Sequence, residues 1–420
     1  MISESINDAI HRHLLENPST DSVSDYWYPL SRPSFGSEEI TEAVESMITY
    51  RTTMWDKTRR FEELFSDYVG AEAVMVNSGS SADLLLVYSM LRSSGGTLDP
   101  GDEVLVPAVT WPTHLWSVAM AGLVPVLVDV DPKTLNMDIN DLQAKISSRS
   151  KAVFPVHLMG SPANLTEIQA ISADSGLAVL EDCCESLGAF WNGHHVGSQS
   201  YGGTFSFFFS HHICTMEGGM IITSDPETAE RLRLLRAHGW ARNLKNRSHP
   251  LLKLTEDSAL DSRYTFLEWG FNVRPTELQA GFGLHQIRKF PQFKETRNRA
   301  FSKIQEGLSD LSSVIHLPEV HPQAEACWFA LPIMMNPEAS ISRNEVTGRL
   351  QTLGVETRPI VAGNLSKQPV SRRFVWLRQD NLPGASAIHN HGFYIGIHSR
   401  FHDGEIERIT ETLRSVLSSG

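Results

Sequence analysis

The stretch Gly203-Thr-Phe-Ser-Phe-Phe-Phe-Ser-His-His-Ile-Cys-Thr-Met-Glu-Gly-Gly-Met-Ile-Ile-Thr223 sets the reading of this chain. Apolar residues dominate both of its ends, and a polar middle carries Ser210, His211, His212, Thr215 and Glu217. That pattern predicts a β-strand, a polar turn, and a second strand entered through Gly218-Gly219. Two adjacent histidines occupy the turn. An imidazole titrates near neutrality, so either one can take up or release a proton under mild conditions. A turn that needs only a polar cap also accepts histidine, and the pair alone leaves that structural role open.

Upstream of this stretch, strand-like and helix-like segments alternate. Residues 73–77 form a short apolar run, and Ser78-Gly-Ser-Ser-Ala82 turns it into a helix rich in leucine. Free backbone N–H groups at such a helix start make an anion site, although any tight strand-to-helix turn uses glycine and serine. Further strands are expected at 103–106, 124–129, 152–156 and 177–181, separated by amphipathic stretches such as 164–175. This rhythm implies an α/β fold, with a mostly parallel sheet covered by helices and ligands bound beyond the carboxyl ends of the strands. Asp182 ends one of those strands, and Trp111 lies in the turn Pro107-Ala-Val-Thr-Trp-Pro-Thr113 that follows another.

Other parts of the chain are plainer. Residues 37–49 have helical spacing of Ile40, Val44, Met47 and Ile48, and residues 282–299 read as a long connecting helix. Beyond it, strands at 328–335 and 354–359 and helices at 342–353 and 404–417 suggest a smaller α+β unit. The expected division is an N-terminal arm over 1–30 (a helix and an extended piece), a large domain over 31–285 and a small domain over 286–420.

Composition narrows the class of function. The 420 residues are 41% hydrophobic and 20% charged, with a formal net charge of −13. That balance, with no basic run interleaved with aromatics, argues against nucleic acid as a partner. No apolar stretch reaches the length of a membrane span, and the opening residues show no basic-then-apolar pattern, so a cytoplasmic protein without membrane contact is expected. Cys183, Cys184, Cys214 and Cys327 have no metal-ligand spacing; no metal is expected, and the thiols read as reduced.

The stretch 203–223 resembles the cofactor-lysine segment of the DegT/DnrJ/EryC1/StrS sugar aminotransferases, which belong to the fold-type I pyridoxal-phosphate (PLP) superfamily. Aligned on Thr204-Phe-Ser-Phe-Phe208, the family's lysine falls on His211, and 203–223 contains no lysine. The run Ser210-His-His-Ile-Cys-Thr-Met-Glu-Gly-Gly219 is similar to a lysine-lacking branch of that family, the GDP-4-keto-6-deoxy-mannose 3-dehydratases of colitose biosynthesis. The resemblance implies the fold-type I large domain, with the small domain packed over its active-site face.

It also implies roles for single residues. Gly79, Ser80, Ser81 and Ser206 would hold the cofactor phosphate, and Trp111 would stack on the pyridine ring. Asp182, in Glu181-Asp-Cys-Cys-Glu-Ser186, would pair with the ring nitrogen, and Glu185 would lie near the ring where aminotransferases commonly have glutamine. In Arg236-Ala-His-Gly-Trp-Ala-Arg-Asn243, His238 and Arg242 would meet substrate, with solvated loop charge as the alternative. Arg358 would meet a carboxylate or phosphate. Asn272 lies in a segment that crosses a dimer interface in the family and would reach the neighbouring subunit's cofactor phosphate. Trp55 stands where the family usually has glycine, and 245–263 reads as a surface loop.

The missing lysine shapes the expected chemistry. A primary amine is needed to hold PLP as a Schiff base, and an imidazole cannot form one, yet it can still act as a proton-transfer base. The resemblance therefore implies non-covalent PLP, converted by L-glutamate to pyridoxamine phosphate (PMP), with His211 as catalytic base. The reaction expected is C3 deoxygenation of a nucleotide-linked 4-keto-6-deoxy sugar, GDP-4-keto-6-deoxy-mannose first, as in O-antigen deoxysugar synthesis. The subunits would form a homodimer or larger assembly with shared active sites. Two other readings are a PMP-dependent nucleotide-sugar aminotransferase and a non-catalytic sugar-nucleotide-binding protein. Asp182, Trp111 and Ser206 together speak against the second, because an idle site has no need of a pyridine partner.

Overall fold

Six of the seven strands in the central sheet point the same way, and that polarity fixes where a ligand can bind. The computed structural model describes residues 2–16, 25–246, 248–250, 252, 260–373 and 381–418, so much of the expected loop at 245–263 lies outside the described residues. The strands are β1 (Glu72–Val76), β2 (Glu103–Pro107), β3 (Val124–Val128), β4 (Ser150–Val153), β5 (Ala178–Asp182), β6 (Phe190–Trp191), β7 (His194–His195), β8 (Gly202–Ser206), β9 (Gly219–Thr223), β10 (Ile315–His316), β11 (Ala324–Glu325), β12 (Ala330–Met335) and β13 (Gly392–Gly396). The α-helices are α1 (Ile2–Glu16), α2 (Ser37–Ile48), α3 (Asp56–Val69), α4 (Gly79–Ser89), α5 (Pro112–Met120), α6 (Ile139–Lys145), α7 (Leu165–Ser175), α8 (Pro226–Arg236), α9 (Glu277–Gly307), α10 (Arg343–Thr352), α11 (Pro383–His391) and α12 (Glu405–Leu417).

The large sheet has the order β1-β9-β8-β5-β4-β2-β3. Only β9 runs against its neighbours, pairing antiparallel with β8 and β1. The strand–turn–strand reading of 203–223 therefore holds, as β8 and β9 joined by the histidine-bearing segment. Strands β2 and β9 are buried at every position, as expected for sheet covered on both faces. The carboxyl ends of β1, β2, β4, β5 and β8 gather along one edge.

The long helix α9 belongs to two cores. Leu284, Ile287, Phe290 and Phe293 pack with the α3 side of the large sheet, whereas Ala300, Phe301, Ile304 and Leu308 pack with the smaller unit. That unit is built on the antiparallel sheet β10-β12-β13. Buried Arg297 ties it down, donating from Nη1 to the carbonyls of Phe329 (3.0 Å) and Ile397 (2.7 Å). Tyr28, from the expected arm, is fully buried in the same core and donates to the Gly396 carbonyl.

One expected strand is absent. Residues 354–359 make only single bridges, Tyr28 with Val355 and Arg358 with Tyr394. The N–H groups of Gly354 and Val355 are spent closing α10, Gly354 turns left-handed at φ +78°, and Pro359 has no N–H to give. Strand β13, which the sequence reading missed, takes the place beside β12.

Candidate active site

At the gathered strand ends lies a cleft of about 500 Å³. Its floor comes from the turns after β1, β2, β4, β5 and β8; Phe329, Arg358 and Tyr394 of the smaller unit close one side. Among the described residues lining it there is no lysine. Gly79, Ser80, Trp111, Asp182, Glu185, Ser206, His211 and Arg358 all line this one cleft.

One end of the cleft suits an anion. Ser78 caps α4, its Oγ accepting the Ser81 N–H at 3.1 Å, which leaves the first-turn N–H groups of Gly79 and Ser80 at the helix start. The turn is tight against β8: a Cβ on Gly79 would stand 2.6 Å from Ser206 Cβ and 3.1 Å from Cys184 Sγ. Only glycine lets the backbone come this close, which brings the Ser206 hydroxyl beside the same helix end. Trp111, held before Pro112 at the start of α5, leaves its indole 60% exposed.

The floor is acidic. Asp182 is buried and accepts the Cys184 N–H at 2.9 Å; His114 Nδ1 lies 3.7 Å from its Oδ2. Burial pushes the His114 imidazole down to about 4, so it is neutral at pH 7, paired with the Thr110 hydroxyl at 2.9 Å. Asp83, from the second turn of α4, faces the same floor and accepts the Thr204 hydroxyl at 2.7 Å. Burial, reinforced by neighbouring Asp182, holds the Asp83 carboxyl well above the usual range. Asp83 went unnoticed in the sequence because it stands in an otherwise apolar helical run; its only signal is a charge one residue past a phosphate-type turn.

The two histidines of the central stretch diverge. His211 is half-buried in the cleft wall, its Nδ1–H donating to the Cys184 carbonyl at 2.7 Å and its ring against Phe329. That bond fixes the tautomer and leaves Nε2 as the basic atom. Burial pushes this imidazole down to about 4. His212 points into the core, where its Nε2–H donates to the Cys327 carbonyl at 2.9 Å. Glu185 accepts the Met159 N–H at 2.9 Å, and burial raises its carboxyl to about 7. Tyr394, raised to about 12 by burial and by the Glu185 charge, lies across from it.

Four of the sequence-predicted residues sit elsewhere. Ser81 does not line the cleft; its N–H and hydroxyl both engage Ser78. Asn272 is exposed and accepts Arg274 Nε at 2.9 Å, His238 is exposed with φ +62°, and exposed Arg242 lies 4.3 Å over the Trp240 ring. The sequence reading missed Asp83, Phe329 and Tyr394; the last two enter only through packing of the smaller unit, which no local pattern reveals.

The donor set suits a flat heteroaromatic cofactor carrying a phosphate. The ends differ: N–H groups and hydroxyls at α4, a carboxylate at β5, with the free Trp111 face between them.

The sequence profile described as the DegT/DnrJ/EryC1/StrS aminotransferase family matches residues 33–414. The chain is similar to the GDP-4-keto-6-deoxy-D-mannose 3-dehydratase of Yersinia pseudotuberculosis, with 35% identity over 88% of this chain and 94% of that protein. Among solved structures it matches the Escherichia coli GDP-4-keto-6-deoxy-D-mannose 3-dehydratase with bound hydrated PLP, at TM-score 0.86 and 32% identity, covering 93% of this chain and 99% of that one. A further structure of a GDP-4-keto-6-deoxymannose 3-dehydratase, holding a trapped PLP–glutamate geminal diamine, matches at TM-score 0.85 and 32% identity over 92% of this chain and all of that one.

Proposed function

Because the chain belongs to the DegT/DnrJ/EryC1/StrS aminotransferase family, we propose that it is a PLP/PMP-dependent 3-dehydratase of a nucleotide-linked 4-keto-6-deoxy sugar, GDP-4-keto-6-deoxy-mannose first, with L-glutamate as amino donor. The observation that carries this reading is an imidazole with a free Nε2 at the place of the cofactor lysine, in a cleft whose described lining holds no amine.

When bound, the cofactor supplies an amine for the sugar ketone and a ring that takes up electrons. The remaining work falls to this chain. Gly79, Ser80 and Ser206 hold the phosphate, Trp111 covers a ring face, and Asp182 keeps the ring nitrogen protonated. His211 Nε2 takes up the proton released from carbon before the C3–O bond breaks, and the Cys184 carbonyl holds that imidazole in the right tautomer. Arg358, ion-paired with Glu356 at 2.9 Å, is free to turn to an anionic group on the glutamate or the nucleotide.

A second copy of the chain completes the enzyme in this reading. Trp55, Tyr264, Phe266 and Trp269 stand between 45% and 64% exposed in a single copy, which supports association through that surface. Asn272, His238 and Arg242 then serve the partner's cleft rather than their own. We place the arm, large domain and small domain at 1–30, 31–285 and 286–420, the second division falling within α9. All four cysteines are free thiols, which supports a reducing, cytoplasmic setting. No described helix is long and apolar enough to cross a membrane.

The test is direct. The protein is incubated with PLP, glutamate and a panel of 4-keto-6-deoxy sugar nucleotides, and product masses are read. A 3-deoxy-4-keto sugar with release of ammonia and 2-oxoglutarate is expected. A stable 4-amino sugar would instead establish an aminotransferase, and binding without any turnover a non-catalytic sugar-nucleotide-binding protein.

A further inference from the structure

The N-terminal arm reaches the rim of the cleft, and one mostly buried carboxylate links the two. Tyr28 N–H donates to the Gly354 carbonyl at 3.2 Å, and Glu356 N–H donates to the Tyr28 carbonyl at 2.9 Å. Farther along, Arg32 Nη1 donates to Glu405 at 2.7 Å and the Ser34 hydroxyl to Gln286 of α9 at 2.8 Å. Between these fastenings the Leu30 N–H donates to Glu356 Oε2 at 3.0 Å. The other oxygen, Oε1, holds Arg358 Nη2 at 2.9 Å. Single bridges at Val355 and Arg358 flank this pair, and in such extended chain residues two apart point to one side.

The two partners differ in freedom. The Arg358 side chain is 52% exposed, and apart from Glu356 its Nη1 turns back to the Thr357 carbonyl at 3.0 Å. The Glu356 side chain is only 13% exposed and is tied to the arm. Arg358 lines the main cleft and also a smaller cavity of about 300 Å³ beside it, walled by Pro29, Leu30, Ser31 and Glu356. It therefore stands between the arm and the place where an anionic ligand arrives. Resting on the reading above that this cleft takes anionic substrates, we propose that Glu356 is a positioning residue that holds Arg358 at the rim and yields it to a ligand bringing its own carboxylate or phosphate.

The energetics suit such an exchange. A half-exposed ion pair is weak, so an incoming anion can replace it with little loss. A neutral ligand brings no replacement, and turning Arg358 towards it would leave both the cation and the carboxylate without a counter-charge. The Glu356 carboxylate keeps the Leu30 N–H after Arg358 has turned away, and a hydrogen bond to a charged group is stronger than a neutral one. The Glu356 charge also stays near the bound anion and repels it. Anions thus bind less tightly than they would to Arg358 alone, and ligands without a charge are turned away.

An amino donor's carboxylate and a nucleotide's phosphates share this chemistry, and separate probes distinguish them. PLP-loaded protein is titrated calorimetrically with glutarate, which has the carboxylates of glutamate but no amine, and with GDP. Glu356→Gln keeps an oxygen for the Leu30 N–H and removes the charge. It is expected to bind one of the two probes about tenfold tighter than wild type, through loss of the competing pair and of the repulsion. Glu356→Asp, which keeps the charge, should stay within about threefold of wild type. In an Arg358→Gln background the same Glu356→Gln change should bring no gain. A gain on glutarate should appear in turnover as a lower KM for L-glutamate, and a gain on GDP as a lower KM for the sugar nucleotide, with kcat little altered in each case. Unchanged or weaker binding of both probes in Glu356→Gln, or a gain that survives without Arg358, overturns the exchange and leaves the dehydratase reading standing. The titrations need no turnover, so a protein that shows the gain yet dehydrates no sugar overturns the dehydratase reading alone.

Discussion

Replacing each histidine of the pair by asparagine should separate chemistry from stability. In His211→Asn the amide Nδ2 can take over the donation that Nδ1 makes to the Cys184 carbonyl at 2.7 Å, so the loop keeps its anchor. What disappears is the only basic atom, Nε2. Loss of a positioned general base costs about 10² to 10⁴ in rate, or roughly 3 to 5 kcal/mol of transition-state stabilisation. The fold should lose less than about 1 kcal/mol, because the hydrogen bond survives at a half-buried position. His212→Asn should do the reverse. Its ring is buried against Phe290 and Phe329, and the shorter amide leaves both a void and the Cys327 carbonyl without its 2.9 Å donor. That combination costs about 2 to 4 kcal/mol of stability, while the folded fraction should turn over within a few-fold of wild type. The assay pairs single-turnover dehydration rates with urea-unfolding midpoints for both variants. A His212→Asn enzyme that is stable but inactive, beside an active His211→Asn enzyme, would refute the assignment of the base.

Three further outcomes are expected. His211→Lys should gain a covalent bond to PLP, seen as a new absorbance band fixed by borohydride, and should lose C3 deoxygenation; wild-type protein should release its cofactor on dialysis and resist borohydride fixation. Gly79→Ala should weaken PLP binding tenfold or more with circular dichroism unchanged, since its Cβ would meet Ser206 Cβ at 2.6 Å and push the helix start away from the phosphate; unchanged affinity would remove the phosphate from that turn. Cofactor-free protein should lose stability as pH falls from 6.5 towards 4, because His114, His195 and His211 (about 4) and His398 (about 3) stay neutral in the fold after the unfolded chain has taken up protons. Glu185 and Asp83, raised in the fold, act in the opposite sense over the same window. The lowered histidines, His212 among them, outnumber these raised carboxyls, so the net effect is a loss of stability as pH falls, and a flat urea-unfolding profile between pH 6 and 5 would show that the histidines are not held neutral.

How much of this was legible in the sequence depends on how local each feature is. The β8–β9 pair could be read because its apolar runs and glycine pair are contiguous, and the helix start at Gly79 because a strand, a small-residue turn and a leucine-rich run follow one another. The false strand at 354–359 shows the limit of the same method. Its residues are suited to a strand, but the turn ending α10 had already used the N–H groups a strand needs. Asp83 shows another limit, since one acid in an apolar helix has no partner until β5 and β8 bring Asp182 and Thr204 beside it. Nor does any local pattern place Asn272, His238 and Arg242, which lie outside their own chain's cleft and depend on what covers that surface.

The exchange of lysine for histidine at 211 accounts for only half of a change from amino transfer to elimination. A lysine at that position carries protons and also displaces product from the cofactor, whereas an imidazole does only the first, which slows amino transfer without by itself hastening loss of a hydroxyl. Hydroxide is a poor leaving group, and an acid on the leaving side is what makes the alternative exit competitive. In this cleft the Cys184 carbonyl holds the imidazole so that Nε2 can take the proton from carbon and hand it on to the departing oxygen. His211→Asn should then slow exchange of the carbon proton and loss of the C3 hydroxyl together. A variant that still exchanges the proton but no longer expels the hydroxyl would mean that a second group supplies the acid.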